Sequence, residues 1–197
     1  RPRVSMSFTK PFVHKVFPVT FTMSKHVSGF DTSDIVVTNG VITSFTQTGL
    51  LTYMANVKPI NNGTVTVLVP VGKLRDEAGN TNPTASDSTT FRLAFTAYTF
   101  NGISVSDSIS ITPSGGNVYV RVPFNTLLSN LTATYTTTDN ASARVNSVTQ
   151  QSAVTANSFV QPLVYTLTSS DNQITKLFTV YVTVEQNKLC SLLTYNI

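Results

Sequence analysis

TVTVLVP, residues 64 to 70, decides the fold class. Val65, Val67 and Val69 alternate with Thr64, Thr66 and Leu68, so an extended chain sets three valines on one face. This is the pattern of a strand with one side against a core, and Pro70, which has no N–H to donate, closes it. The period recurs upstream in VFPVTFTM (16–23), DIVVTNGVITSF (34–45) and LLTYMANV (50–57). Downstream it returns in FRLAFTAYTF (91–100), NVYVRVP (117–123), LTATYTT (131–137), PLVYTLT (162–168) and KLFTVYVTV (176–184). Gly, Asn, Asp and Pro separate these runs, as turns require. In the last run Phe178, Val180, Val182 and Val184 are expected to face the core, with Thr179, Tyr181 and Thr183 opposite. Asn39-Gly40 lies between two alternating runs and is expected to form a type I′ hairpin turn. SSDNQ (169–173) has the length of a hairpin loop, and Ser86 to Phe95 reads as one strand continuing into the next sheet.

Composition agrees with an all-β chain. Of 197 residues, 41% are hydrophobic and 11% charged, enough apolar material for one large core or two modest ones. β-branched residues and Ser are abundant while Ala, Leu and Glu are scarce, which disfavours helices. Short strands spaced through two halves, each of immunoglobulin-domain size, predict two tandem immunoglobulin-like β-sandwiches: residues 1–92 and 93–187. Residues 188–197 are then a tail or the first strand of a further repeat. One cysteine, Cys190, and no Trp exclude the antibody-type core with its disulfide.

Charge excludes other classes. The net charge of +4 comes from 13 Lys and Arg residues scattered singly, with no run that would track a phosphate backbone, so no nucleic acid partner is expected. No apolar run approaches the length of a membrane-spanning helix, and no membrane insertion is expected. The chain has neither an initiating Met nor a signal peptide and reads as a piece of something longer.

Two internal echoes hint at repetition. TVTVLVPVGKL (64–74) and NVYVRVPFNTL (117–127) share the order x-Val-x-Val-x-Val-Pro-x-x-x-Leu, and LCSLLTYNI (189–197) resembles AFTAYTFNGI (94–103).

Chemistry-bearing residues are few. Asp76, Glu77, Asn80 and Asn82 bring hard oxygen donors close together, which raises a calcium contact as an alternative to the expected reading, a turn set by Gly79 and Asn80. His26, Ser28, Asp31 and Asp34 are the residue types of a hydrolytic triad, but they read as a polar loop whose acids bond turn amides. His14 is the other histidine, and no cysteine stands near it to complete a metal site. The tyrosines at 53, 98, 119, 135, 165, 181 and 195 mostly fall in strands and are expected to be buried rings with a wet hydroxyl. Tyr119 and Tyr181 lie opposite valine stripes and are the candidates for an exposed ligand or partner surface. Asn62, Asn130 and Asn140 stand in N-glycosylation patterns.

VSGFDTSDIVVTNG (27–40) and DEAGN (76–80), with the strands around them, resemble the bacterial Ig-like domains found in arrays in surface adhesins and other secreted proteins. The resemblance covers residues 1 to about 92. That family often has Glu-Pro where Lys25-His26 stands here, so any role of the acidic position does not carry over. VPFNTLLSNLTATY (122–135) with PLVYTLTSSDNQITKLFTVYVTV (162–184) is similar to a repeat domain of unknown function in bacterial surface and secreted proteins, over about 93–187. Together the resemblances imply a stalk, spacer or adhesive module of a large extracellular or cell-surface bacterial protein. Its partners would be neighbouring domains of the same polypeptide and a host-surface protein or glycan. No catalytic residue, no cofactor-binding residue and no metal ligand is assigned, and the chain is not expected to be an enzyme. The alternatives are a carbohydrate-binding accessory module of a secreted hydrolase and a decorative Ig-like domain of a phage or surface layer.

Overall fold

The computed structural model describes residues 1–103, 109–112 and 116–186, so the expected tail at 188–197, with Cys190 and Tyr195, lies outside the described residues. Strands dominate, and the helical segments among these residues are two single 3₁₀ turns, Thr32–Asp34 and Thr138–Asn140. The chain divides into two compact units: Arg1–Arg92 with the hairpin tip Ser169–Ile174, and Leu93–Thr168 with the chain from Thr175 onward.

The first unit is a sandwich of two four-stranded sheets. One has the order β1 (Val4–Ser7), β3 (Phe17–Met23), β6 (Thr52–Pro59), β5 (Gly40–Gln47); the other runs β2 (Phe12–Val13), β8 (Ala85–Phe91), β7 (Gly63–Val69), β4 (Val36–Thr38). The deciding stretch behaves as its period demands: Val65, Val67 and Val69 are fully buried, and β7 stops before Pro70. From the other sheet Val19, Phe21, Met23, Tyr53, Ala55 and Val57 close the core. Phe30, in the loop after β3, meets Phe21, Phe45 and Tyr53 edge to face at 5.0–5.5 Å, the geometry ring quadrupoles favour. β2 pairs parallel to β8, whereas the other pairings in this unit are antiparallel.

Asn39-Gly40 is not a hairpin turn. A type I′ turn needs two residues at positive φ, and only Asn39 adopts it, at +58°. The chain instead changes sheets here, β4 pairing with β7 and β5 with β6. Asn39 fixes the crossing: its Nδ2 donates to the carbonyls of Asn61 (2.7 Å) and Thr64 (3.1 Å), and its Oδ1 accepts from the Asn61 N–H at 2.9 Å. Gly40 suits this close approach: a Cβ there would stand 3.0 Å from Val37 Cγ1 and 3.1 Å from Val57 Cγ1, so those side chains would have to give. The two runs flanking Asn39-Gly40 are therefore strands in different sheets and not the two arms of a hairpin.

The second unit is also a sandwich. Its larger sheet has the order β10 (Ile109–Thr112), β11 (Asn117–Val122), β17 (Thr175–Val184), β16 (Leu163–Thr168), β13 (Ser142–Val145), β14 (Val148–Gln150). Facing it are β15 (Ala156–Asn157), β12 (Leu131–Thr137) and β9 (Phe95–Phe100). β8 ends at Phe91 and β9 begins at Phe95, so the segment from Ser86 to Phe95 is broken rather than continuous. β11 and β17 pair in parallel over six residues, from Asn117↔Thr179 to Val122↔Val184. β16 and β17 form the antiparallel hairpin expected around SSDNQ.

Phe95, Tyr98, Tyr165 and Phe178 are buried at the centre of this unit, and Phe95 stands edge-on to the other three at 5.2–5.5 Å. The hydroxyls of Tyr98 and Tyr165 are not wet: Tyr98 donates to Tyr165 at 3.0 Å. Burial pushes both phenols up, Tyr165 to about 12. Phe178 and Val180 face the core as expected, but Val182 is half-buried and Val184 is exposed, because β17 runs past Val180, where its pairing with β16 ends.

The repeat echo does not mark equivalent positions. TVTVLVP forms β7, antiparallel to both neighbours, while NVYVRVP forms β11, antiparallel to β10 and parallel to β17. An alternating strand ended by Pro has arisen at two different places.

Candidate functional site

DEAGN lies in the connection between β7 and β8, at the end of the first sandwich where β3 also ends. Gly79, at φ +76°, donates its N–H to the Asp76 carbonyl at 2.8 Å, and the Asp76 N–H bonds back to the Asn80 carbonyl at 3.1 Å. The Asp76 carboxylate is buried and accepts from the Asn80 N–H (2.9 Å) and from Asn80 Nδ2 (3.1 and 3.2 Å to its two oxygens). Lys25 Nζ stands 3.9 Å away. Asn82 is almost wholly buried; its Oδ1 accepts from the Leu74 N–H at 2.8 Å while Nδ2 donates to the carbonyls of Pro70 (2.8 Å) and Pro83 (2.9 Å). Glu77 points outward, 3.7 Å from His26 Nδ1. Lys25, His26, Asp76, Glu77 and Ala78 line a shallow groove of about 250 Å³.

Of the four oxygen donors named for calcium, the fold therefore joins only Asp76 and Asn80, and it joins them to each other. Asn82 is a strut under the loop. No group of three or more His, Cys, Asp or Glu side chains capable of holding a metal ion occurs among the described residues. What the cluster does is fix the loop.

Asp76 has an acid-linked role in stability. Burial pushes its carboxyl up, but the backbone and side-chain hydrogen bonds from Asn80 and the charge of Lys25 outweigh this and hold it below the ordinary carboxylate range. Asp31, Asp87 and Asp171 are lowered as well. A depressed folded-state value means stabilisation that is complete above the ordinary Asp value, about 3.9, and is lost as pH falls through the folded value. Urea midpoints should accordingly decline below about pH 4. Asp76→Asn should flatten part of that acid decline; an unchanged slope would contradict the role given to Asp76.

The residues of the triad reading are committed to other work. Asp31 caps the turn Thr32–Asp34, accepting from Ser33 N–H (2.7 Å) and Ser33 Oγ (2.6 Å), and its own N–H donates to Asp34 Oδ2 at 3.2 Å. Asp34 stands 3.9 Å from Lys73, Ser28 forms a backbone bridge with Arg75, and His26 faces Glu77. His14 is 2.7 Å from the Arg92 carbonyl, which accepts from its Nδ1–H. These contacts leave no nucleophile, base and orienting acid in sequence with one another.

Tyr119 and Tyr181 are brought together. They are register partners on β11 and β17, their rings stack with centroids 5.1 Å apart at 14°, and Tyr119 is 45% exposed. With Ile109, Ser110, Val120, Arg121 and Thr183 they line an open depression of about 400 Å³. Sequence reading singled out the rings but missed Arg121 beside them, although its place two residues after Tyr119 puts it on the same face.

The sequence over residues 1–93 matches a family model described as a bacterial Ig-like domain. Residues 1–93 are thus similar to bacterial Ig-like domains. This Ig-like match does not extend across residues 93–187, and the resemblance of that part to a repeat domain of unknown function gains no family match. No curated protein is significantly similar to the chain. Among solved structures, a putative glycoside hydrolase from Bacteroides thetaiotaomicron is 24% identical over 49% of this chain and 26% of its own, with a TM-score of 0.42. The N-terminal part of the bacterial S-layer protein SbsC is 16% identical, covering 92% of this chain and 44% of its own, at 0.33. Titin Ig tandem domains A164-A165 are 10% identical over 93% and 97%, at 0.25. The chain spans less than half the length of the first two.

Proposed function

We propose that this chain is a non-catalytic structural or adhesive module, a stalk, spacer or binding domain within a large bacterial cell-surface or secreted protein. The observation that carries this reading is how each unit holds its own ends. In the first, the chain enters along β1 beside Met23 and leaves along β8 beside Val13, at the opposite end of the sandwich. In the second it enters along β9 beside Thr137 and leaves along β17 beside Val122, again at opposite ends. Tension between the ends then acts along paired strands and stretches many hydrogen bonds at once, where a peeling pull would open them singly. The match of residues 1–93 to a bacterial Ig-like family model supports a place in an extracellular protein. Neighbouring domains of the same polypeptide are its proposed partners.

Cell-surface exposure is tested on intact cells that express the parent protein. An antibody raised against this chain should label unpermeabilised cells or capture the protein from culture medium. Labelling only after permeabilisation, with nothing in the medium, would overturn the extracellular assignment.

A further inference from the structure

We infer that the outer face of the second unit carries a saccharide site that takes a carboxylated pyranose, with Tyr119 as the stacking surface and Arg121 as the anion partner. The row Ser110, Tyr119, Tyr181 runs across three adjacent strands, because Ser110 is the register partner of Tyr119 on one side and Tyr181 on the other. Directly paired residues project to the same face of a sheet. Tyr181 covers one face of the Tyr119 ring at 5.1 Å. The other face looks over Ser110, whose short side chain leaves the open depression of about 400 Å³ beside it. A large ring kept 45% exposed beside a gap is a surface without its partner, and a cross-strand stack alone needs no such gap.

The chemistry around that gap selects the occupant. A pyranose has an apolar C–H face that fits an aromatic ring and a rim of hydroxyls that fits Ser110 and Thr183, both lining the depression. A purely apolar ligand would leave these hydroxyls without partners. Arg121 stands in the next row, paired in register with Thr183 and about 7 Å along the strand from Tyr119. Among the described residues it has no carboxylate partner, so its guanidinium is available as a bidentate site for an anion. A ring-stacked sugar bearing its carboxylate at that distance satisfies both groups.

The probes are a galacturonic acid trisaccharide and its neutral galactose counterpart, titrated into the whole chain while tyrosine ring resonances are followed by NMR. The acidic sugar should shift the Tyr119 and Tyr181 signals with a dissociation constant of roughly millimolar. The neutral one should bind about tenfold more weakly, and Arg121→Gln should remove that preference while Tyr119→Ala abolishes both responses. Melting curves of the variants check their folding, and the comparison of two sugars on the unaltered chain stands without them. Equal binding of both sugars, or undiminished binding to Tyr119→Ala, would overturn the assignment. So would tyrosine shifts that depend on protein concentration alone, which would make this face a contact between copies.

Discussion

Phe178→Ala is expected to destabilise the second unit by about 3–5 kcal/mol, because a fully buried ring would be replaced by a cavity. Phe178 stands at 5.5 Å from Phe95, which in turn packs edge-on against Tyr98 and Tyr165, so the truncation opens the middle of the ring cluster. Domains of this size retain only about 5–15 kcal/mol, and the loss takes a large share of that. Calorimetry should show the transition of the second unit moved down by roughly ten degrees or more. The first unit, whose core residues run from Val13 to Phe91, should keep its own transition. A single unshifted transition would show that the ring cluster is not the core of a separate unit.

Asn82→Ala comes next, at roughly 2–4 kcal/mol, although it removes only one small polar side chain. The cost lies in what it leaves behind. The buried Leu74 N–H loses its acceptor and the carbonyls of Pro70 and Pro83 lose a donor, and unmet buried groups are costly. Asn80→Ala is the useful contrast, since Asp76 would keep the Lys25 contact and a largely exposed loop can turn to water. Urea denaturation of both variants should rank Asn82→Ala well below Asn80→Ala; the reverse order would return the oxygen donors of this loop to a ligand role.

That contrast also marks what the sequence could reveal. A period of two needs only neighbours along the chain, so the buried valines of β7, the hairpin around SSDNQ and the all-β class were legible. Asn39-Gly40 misled because a left-handed Asn serves a sheet crossing as well as a hairpin, and the deciding bonds come from Asn61 and Thr64, more than twenty residues away. Asn82 looked like a ligand for the same reason. Its true partners, Leu74 and Pro70, are set by how the loop folds back under itself. Nor could a strand pattern show that the Tyr98 and Tyr165 hydroxyls meet, since this depends on two sheets facing each other. Tyr119 and Tyr181 were each legible as lying opposite the valine stripes, and Tyr119 is exposed while Tyr181 is half-buried, but their pairing rests on a parallel register between segments some sixty residues apart.

Single-molecule pulling between residue 1 and residue 186 tests the mechanical reading most directly. Two separate unfolding events are predicted, one per unit. The event of the second unit should come at the higher force, because six parallel register pairs join β11 to β17 whereas two join β2 to β8. Forced unfolding reports the unfolding barrier, so Val120→Pro, which removes a donor from the middle of the longer ladder, should lower that event selectively. Extension without two force peaks, or a stronger event assigned to the first unit, would contradict the account.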